Sequence, residues 1–471
     1  MNVLVSMGNV FRRPHVGPAR LPQKDSLTIH DSGGRRIWTS NVDANGNNAA
    51  VLWTDGSGYY GPVVDEDRSG FGIYICTDGT EIEGFWSSDQ LAGKALVITP
   101  DGSRRIRQYM HDSIVSESLV SSYPAFPAKR LFPSASNRNK QPLSGTETPS
   151  LEDGLSFGER TRARASTPPL YSSTSSSRAY VPRPPSQPES WLVPFEQLVL
   201  EKRLSRHKCA SCSSLYKASW LGKEVIVRIF PSRSEEIDVN VKELLSRMAR
   251  VRHPNIALFM AASVTSDKFA IVTEFVPLNS YKSLPNTAQH VLHVAKGIAV
   301  GCAYLRRQGF AHKNLKPSNV LIDASSDVKL TDYFVQEFNS VFHSGPCLAD
   351  TTVAYVAPEA LRTVPFVPFG TDTAADVFSF GMLCWTMIAG REPYSGLTRA
   401  QIRVLVGYAG YREPRVHLGN LSGFTRLIDK CLAQDPAHRP TFERLVVALN
   451  SMHGSANSAA EDALITFISG R

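Results

Sequence analysis

Glycine recurs at a fixed interval near the start of this 471-residue chain. Gly33, Gly56, Gly79 and Gly102 stand 23 residues apart, and Asp55, Asp78 and Asp101 precede the last three in "WTDG", "CTDG" and "TPDG". The same step links Gly61 to Gly84 and Gly70 to Gly93. A fixed period of this size marks stacked supersecondary units. Each Asp-Gly favours a tight turn with positive φ, and the flanking "FGIYIC" and "KALVIT" suit strands. A lone hairpin cannot bury its apolar face, so the units are expected to stack into an all-β array over residues 27–110.

Tyr59 with Gly61, Gly70 with Gly72, Asp78 with Gly79, and then Gly84, Trp86, Gly93, Asp101 and Gly102 form a pattern that resembles the MORN repeat. The second copy departs from it, with Ile82 for the tyrosine and Ala95 for a glycine, and the copy before Gly56 is degraded. The resemblance implies contact with membrane phospholipid or dimerisation. A plain scaffolding β-module is the alternative.

The hydrophobic fraction of 42% and charged fraction of 20% are those of a soluble globular chain, and the length suggests two or three domains. No run of eighteen apolar residues exists; "VAKGIAVGCAYL" (294–305) is interrupted by Lys296, so no membrane span is expected. Seven cysteines make no disulfide framework in a chain this long, which fits a reducing cytosol. The expected location is cytoplasmic, with peripheral membrane association through the array. The net charge of +8 is spread out and does not argue for nucleic acid, and none is expected as a partner. Residues 1–26 place their basic groups after the apolar stretch, the reverse of a secretory signal. They are read as a disordered basic N-terminus, with an organelle presequence as the alternative.

Residues 111–189 are rich in Ser, Pro and Arg and offer little to build a core, so a disordered linker is expected. Within it, "RTRARASTPP" puts Arg162 and Arg164 before Thr167 and Pro169 after it. A basophilic kinase could phosphorylate Thr167, and the product would suit an arginine-lined phosphopeptide reader such as 14-3-3.

From residue 190 a second ordered pattern begins: "WLVPFEQL", "RHPNIALFMAA", "AHKNLKPSNVLID" (311–323), "TDYF", "APE" (Ala357 to Glu359), "DVFSFG" (Asp376 to Gly381) and "HRP" ending in Arg439 and Pro440. In this order the stretches resemble the protein-kinase family, most closely its Raf-like, tyrosine-kinase-like branch. The resemblance implies an α+β, bilobal kinase fold over 190–453, with a β-rich small lobe and an α-helical large lobe, followed by a tail at 454–471. It also implies a buried ion pair between Glu359 and Arg439, and an Asp376 that ties the catalytic loop to the large lobe.

The chemistry implied by the family is less well preserved. Phosphoryl transfer needs a glycine lid over the phosphates, a lysine on them, metal ligands and an aspartate that accepts the hydroxyl proton. Lys208, Ala210 and Ser213 occupy the three glycine positions of the lid. Arg228 stands for the strand lysine, replacing a compact ammonium with a planar fork. Leu244 falls at the position of its glutamate partner; Glu243 lies about 100° away around a helix, so only a register shift would restore the pair. Asn314 replaces the base, and an amide cannot take the proton. Phe334 replaces the glycine after Asp332 and is expected to stiffen that segment. Lys316, Asn319 and Asp332 are retained.

Losing a general base costs about 10²–10⁴-fold, against turnover near 1–100 per second in kinases. Asn314 alone therefore leaves measurable activity, but five failed positions together point to a pseudokinase. If ATP and Mg²⁺ bind, the resemblance assigns Thr273 as gatekeeper, Glu274 to Val276 as hinge, Arg228 to the phosphates, and Asn319 and Asp332 to one Mg²⁺.

Smaller features carry blander readings. Cys209 and Cys212 of "CASC", beside His207, have no second pair at ligand spacing and are not read as a metal site. His290 and His293 are read as a solvated helix face and His312 as structural. Thr351 and Thr352 of the activation segment are read as packing residues, with phosphorylation as the alternative. The expected function is therefore that of a scaffold or allosteric partner of an active kinase or another signalling protein. A divergent but active Ser/Thr kinase, and an array that recruits the chain to a membrane or a second copy, are the alternatives.

Overall fold

The computed structural model describes residues 36–41, 48–119 and 191–454, apart from 66, 101–102, 111, 205–212, 233–238, 278, 281–286, 324, 343–352, 363–372 and 418–421. Lys208, Ala210, Cys209, Cys212, His207, Thr167, Thr351, Thr352, Asp101, Gly102 and both termini lie outside the described residues.

The 23-residue period is a hairpin period. Strands β1 (Arg36–Asn41), β2 (Ala49–Trp53), β3 (Gly58–Gly61), β6 (Gly70–Ile75), β7 (Glu81–Ser87), β8 (Gln90–Ile98), β9 (Arg104–Met110) and β10 (Ser113–Leu119) pair in that order as one antiparallel sheet. A small hairpin, β4 (Val63–Val64) and β5 (Asp67–Arg68), lies in the connection before β6. Strands β3, β7 and β9 begin 23 residues apart, at Gly58, Glu81 and Arg104. The turns repeat with them: Asp55 and Asp78 each accept the amide two residues on, at 2.8 Å, which places Gly56 and Gly79 at φ 95° and 93°. A second turn family shares the step, with Asp89 and Asp112 both left-handed. Gly61 and Gly72 are required where they stand, because a Cβ at either would overlap the Tyr59 ring. Ala95 fits without being glycine because it faces the bare Cα of Gly84.

Val51, Tyr59, Trp86, Leu91, Val97 and Tyr109 form the apolar core of one sheet face. Arg68, held by Asp89 at 2.7 Å, lies over the Trp86 ring at 3.8 Å. The sheet runs past the boundary expected at 110. Strand β10 is held by the Asp112 turn, whose carboxylate accepts from the Leu91 amide at 2.6 Å, and by Glu117, which pairs with Arg105 and Arg107 of β9. Strand β10 carries the sheet to Leu119.

The kinase-like region begins with a five-stranded sheet, β11 (Leu198–Arg203), β12 (Ser214–Trp220), β13 (Lys223–Pro231), β14 (Phe259–Val264) and β15 (Lys268–Glu274), in the order β11-β12-β13-β15-β14. Helix α1 (Val239–Met248) packs on it through Val241, Leu244, Leu245 and Met248, an i, i+3, i+4, i+7 spacing that lays one apolar stripe on the sheet. The large lobe is built on α2 (Ala288–Arg307) and on a short sheet of β16 (Asn279–Ser280), β17 (Val320–Ile322) and β18 (Val328–Leu330). Helices α3 (Val335–Val341), α4 (Pro358–Leu361), α5 (Thr373–Ala389), α6 (Arg399–Ile402), a π-helix (Arg403–Tyr408), α7 (Ser422–Cys431) and α8 (Phe442–Gly454) complete it. One continuous apolar core joins the two lobes.

The expected anchors are in place. Arg439 donates to both Glu359 oxygens at 2.7 Å and to the carbonyl of Ala374 at 2.8 Å. Asp376, buried on α5, accepts the amides of His312 at 2.7 Å and Lys313 at 2.8 Å. That grip fixes the catalytic loop and holds Lys313 at a left-handed φ of 58°.

Candidate active site

The loop of residues 311–319 descends from α2 and ends in a 3-10 turn at Pro317–Asn319. His312 is buried there, and burial pushes its pKa down to about 4, so the ring is neutral at pH 7. Asn314 is also buried, and its backbone oxygen accepts from the Asn319 side-chain amide at 2.8 Å. The Asn319 side-chain oxygen in turn accepts from the Ser318 hydroxyl at 3.2 Å. Lys316 is half-buried and precedes the turn.

Across the cleft, Arg228 on β13 forms a bidentate clasp with Asp332. Its Nε donates to Oδ1 at 3.1 Å and its Nη2 to Oδ2, while Nη1 donates to the Ser213 hydroxyl at 3.0 Å. Asp332 itself sits at φ 64°. The register shift that could have brought Glu243 to Arg228 does not occur: Glu243 is exposed and Leu244 faces the core. With no glutamate on α1 to take it, the guanidinium turns to the next carboxylate within reach. A planar fork matches a carboxylate in two parallel hydrogen bonds, which a lysine at this position cannot do.

Helix α3 follows Asp332 almost at once, with Phe334 as its buried N-terminal cap residue. Phe338, fully buried, packs against Phe230 of β13 and Phe269 of β15 with ring centroids at 5.7 and 5.1 Å. Phe342 lies 4.8 Å from Phe269, and Phe334 stands edge-on to Tyr333 and Phe338. Glu337 of the same helix pairs with Lys313 of the catalytic loop at 2.6 Å. The segment that follows Asp332 is thus pinned to both lobes. Sequence reasoning anticipated stiffness from Phe334 and missed the helix. Its signal was the spacing of Phe334, Phe338 and Phe342, four residues apart and so on one helical face.

Thr273 lies buried on β15, opposite Ile226 of β13 and Phe259 of β14. The Glu274 amide donates to the Leu258 carbonyl at 2.9 Å, and its carboxylate accepts from the Leu258 amide at 2.9 Å and from Lys329 at 3.0 Å. Val276 is buried just beyond it. The hinge residues thus serve the joint between the lobes.

Kinases take ATP with Mg²⁺, and the present residues can be tested for that fit. Both oxygens of Asp332 are bonded to Arg228, and the Asn319 side chain is bonded to its own loop. Among the described residues, no group of three or more His, Cys, Asp or Glu is placed to hold a metal ion. As arranged, the two retained ligand positions do not fit a divalent cation.

A family profile described as protein tyrosine and serine/threonine kinase matches residues 210–449, more than half of the chain. The chain belongs to that protein kinase family. Among similar proteins, serine/threonine-protein kinase STY17 of Arabidopsis thaliana is 31% identical over 286 residues, covering 58% of this chain and 48% of the relative. Serine/threonine-protein kinase STY46 of the same plant is 28% identical over 298 residues (60% and 49%). The probable serine/threonine-protein kinase drkC of Dictyostelium discoideum is 29% identical over 273 residues (55% and 35%). The chain spans about half the length, or less, of these curated relatives.

Proposed function

We propose that this chain is a catalytically impaired protein kinase homologue, a pseudokinase, that acts by binding as a scaffold or allosteric regulator of an active kinase or another signalling protein. The observation that carries this reading is the Arg228–Asp332 clasp. It joins the residue that should hold the phosphates to the residue that should hold the metal, so each cancels the other. Asn314 at the base position and the pinned α3 act in the same direction.

The retained Lys316, Asn319 and Asp332, with relatives named as serine/threonine kinases, favour a second reading as a divergent active Ser/Thr kinase that uses ATP and Mg²⁺. One experiment separates them: thermal-shift titration with Mg-ATP and autophosphorylation of the purified chain, beside Asp332→Ala. The pseudokinase reading expects no phosphate transfer above that control. Transfer that disappears in the control would overturn it.

The array resembles MORN repeats, and contact with anionic phospholipid or a second copy is proposed for it on that resemblance. Cytoplasmic placement, and a phosphopeptide reader at Thr167, are proposed from sequence alone. No described helix is long and apolar enough to cross a membrane.

A further inference from the structure

The six residues of the π-helix, Arg403 to Tyr408, are all buried, and the β-array packs on one side of them while the lobe packs on the other. Thr398 donates to the carbonyl of Gly56, and Gln401 to that of Trp53 at 2.8 Å. Glu81 of β7 receives Arg403 at 2.5 Å and the Tyr408 hydroxyl at 2.9 Å. Tyr60 stacks on Tyr408 with centroids at 5.9 Å, and Gly58 leaves just enough room for Val404. The seam is therefore a charge pair ringed by aromatic and apolar contact, with both charges almost fully enclosed. An arginine buried in this way has to be paired, and the array supplies it with the Glu81 carboxylate. π-Helical turns are rare and frequently sit at functional sites.

We propose that the face from Thr398 to Tyr408 is a protein-docking surface, and that the chain's own β-array is its resident occupant. A different protein taking this face has to bring what the array brings: a carboxylate for Arg403 and an aromatic ring for Tyr408. Occupancy is felt beyond the seam. Arg403 also donates to the Leu361 carbonyl of α4 at 3.1 Å, and Arg362 to the Gly407 carbonyl at 3.2 Å. The array is thereby wired to the helix that closes the activation segment. The proposal stands whether or not the cleft is catalytic.

Glu83 offers a readout. It is buried on the same strand as Glu81, with one carboxylate oxygen unbonded. The groups facing it are Glu81 from its own strand, Arg104 from β9 and Tyr408 from the lobe, with Arg403 bonded to Glu81. Burial first, and then repulsion from Glu81, push its pKa up to about 7, against the pull of Arg104. A raised carboxyl pKa favours the seated form at low pH, and seating weakens as pH rises toward 7.

The test is hydrogen exchange on the full chain. Gly58→Val suits a strand but meets Val404, since a Cβ there lies 2.9 Å from a Val404 methyl. It is expected to speed exchange at 403–408 about tenfold while β7 and β8 stay protected. Glu81→Arg is expected to do the same, and Glu81→Arg with Arg403→Glu to restore protection. In Glu83→Gln the pH-dependent part of the protection is expected to disappear. Protection at 403–408 that is unchanged in both single variants, or a loss that the charge swap does not repair, would overturn the proposal.

Discussion

Two bidentate arginine–carboxylate clasps stand in this kinase-like region, and they do different things. Arg439 is wholly enclosed and bonds, besides Glu359, the carbonyls of Ala374, Ala433 and Gln434. Arg228 and Asp332 keep 13% and 15% of their side chains exposed, and among the described residues Ser213 is the one further hydrogen-bond partner of the guanidinium. The first pair is woven into several backbone segments and holds the large lobe together. The second spans a cleft and ties only two side chains and a hydroxyl. A bidentate arginine–carboxylate clasp can thus serve architecture in one place and closure in another, and the surroundings decide which.

The comparison can be broken most directly at Arg439. Arg439→Met strands Glu359 and several carbonyls, and a loss of about 3–5 kcal/mol is expected in urea denaturation. Arg228→Met should cost at most about 1–2 kcal/mol, because Asp332 regains water. It should also make the chain gain thermal stability from millimolar Mg²⁺ that the parent does not gain. A cost as large as that of Arg439→Met would erase the distinction between the clasps. A pH-dependent effect is expected at His312, whose pKa is held near 4 by burial in the loop that Asp376 grips. Its folded-state pKa is lowered, so its contribution is complete above about pH 6.5 and is lost as pH falls toward 4. A slope of up to about 1.4 kcal/mol per pH unit is expected there, flattened in His312→Asn.

Much of this was legible in advance. The Glu359–Arg439 and Asp376 anchors follow from their order along the chain, and the hairpins of the array from a period of 23 with Asp-Gly at the turns. The missing pieces share a cause. Strand β10 lies beyond the last recognisable Asp-Gly and is held by Asp112 and Glu117, whose partners are on neighbouring strands. Helix α3 is written in three phenylalanines whose meaning depends on Phe230 and Phe269, about 70 to 110 residues upstream.

The sequence by itself determined the family, the hairpin period of the array and the loss of the base at Asn314, because each is set by residue type or local spacing. Tertiary structure alone decided what became of the displaced charges. Arg228 could have met phosphate, Glu243 or Asp332, and the burial of Leu244 with the placement of α3 left Asp332. Glu81 and Arg403, 322 positions apart, showed no kinship in sequence until the sheet and the π-helix were brought together. The physical reason is the same in both cases: a buried charge takes whichever partner the packing of distant segments places within reach.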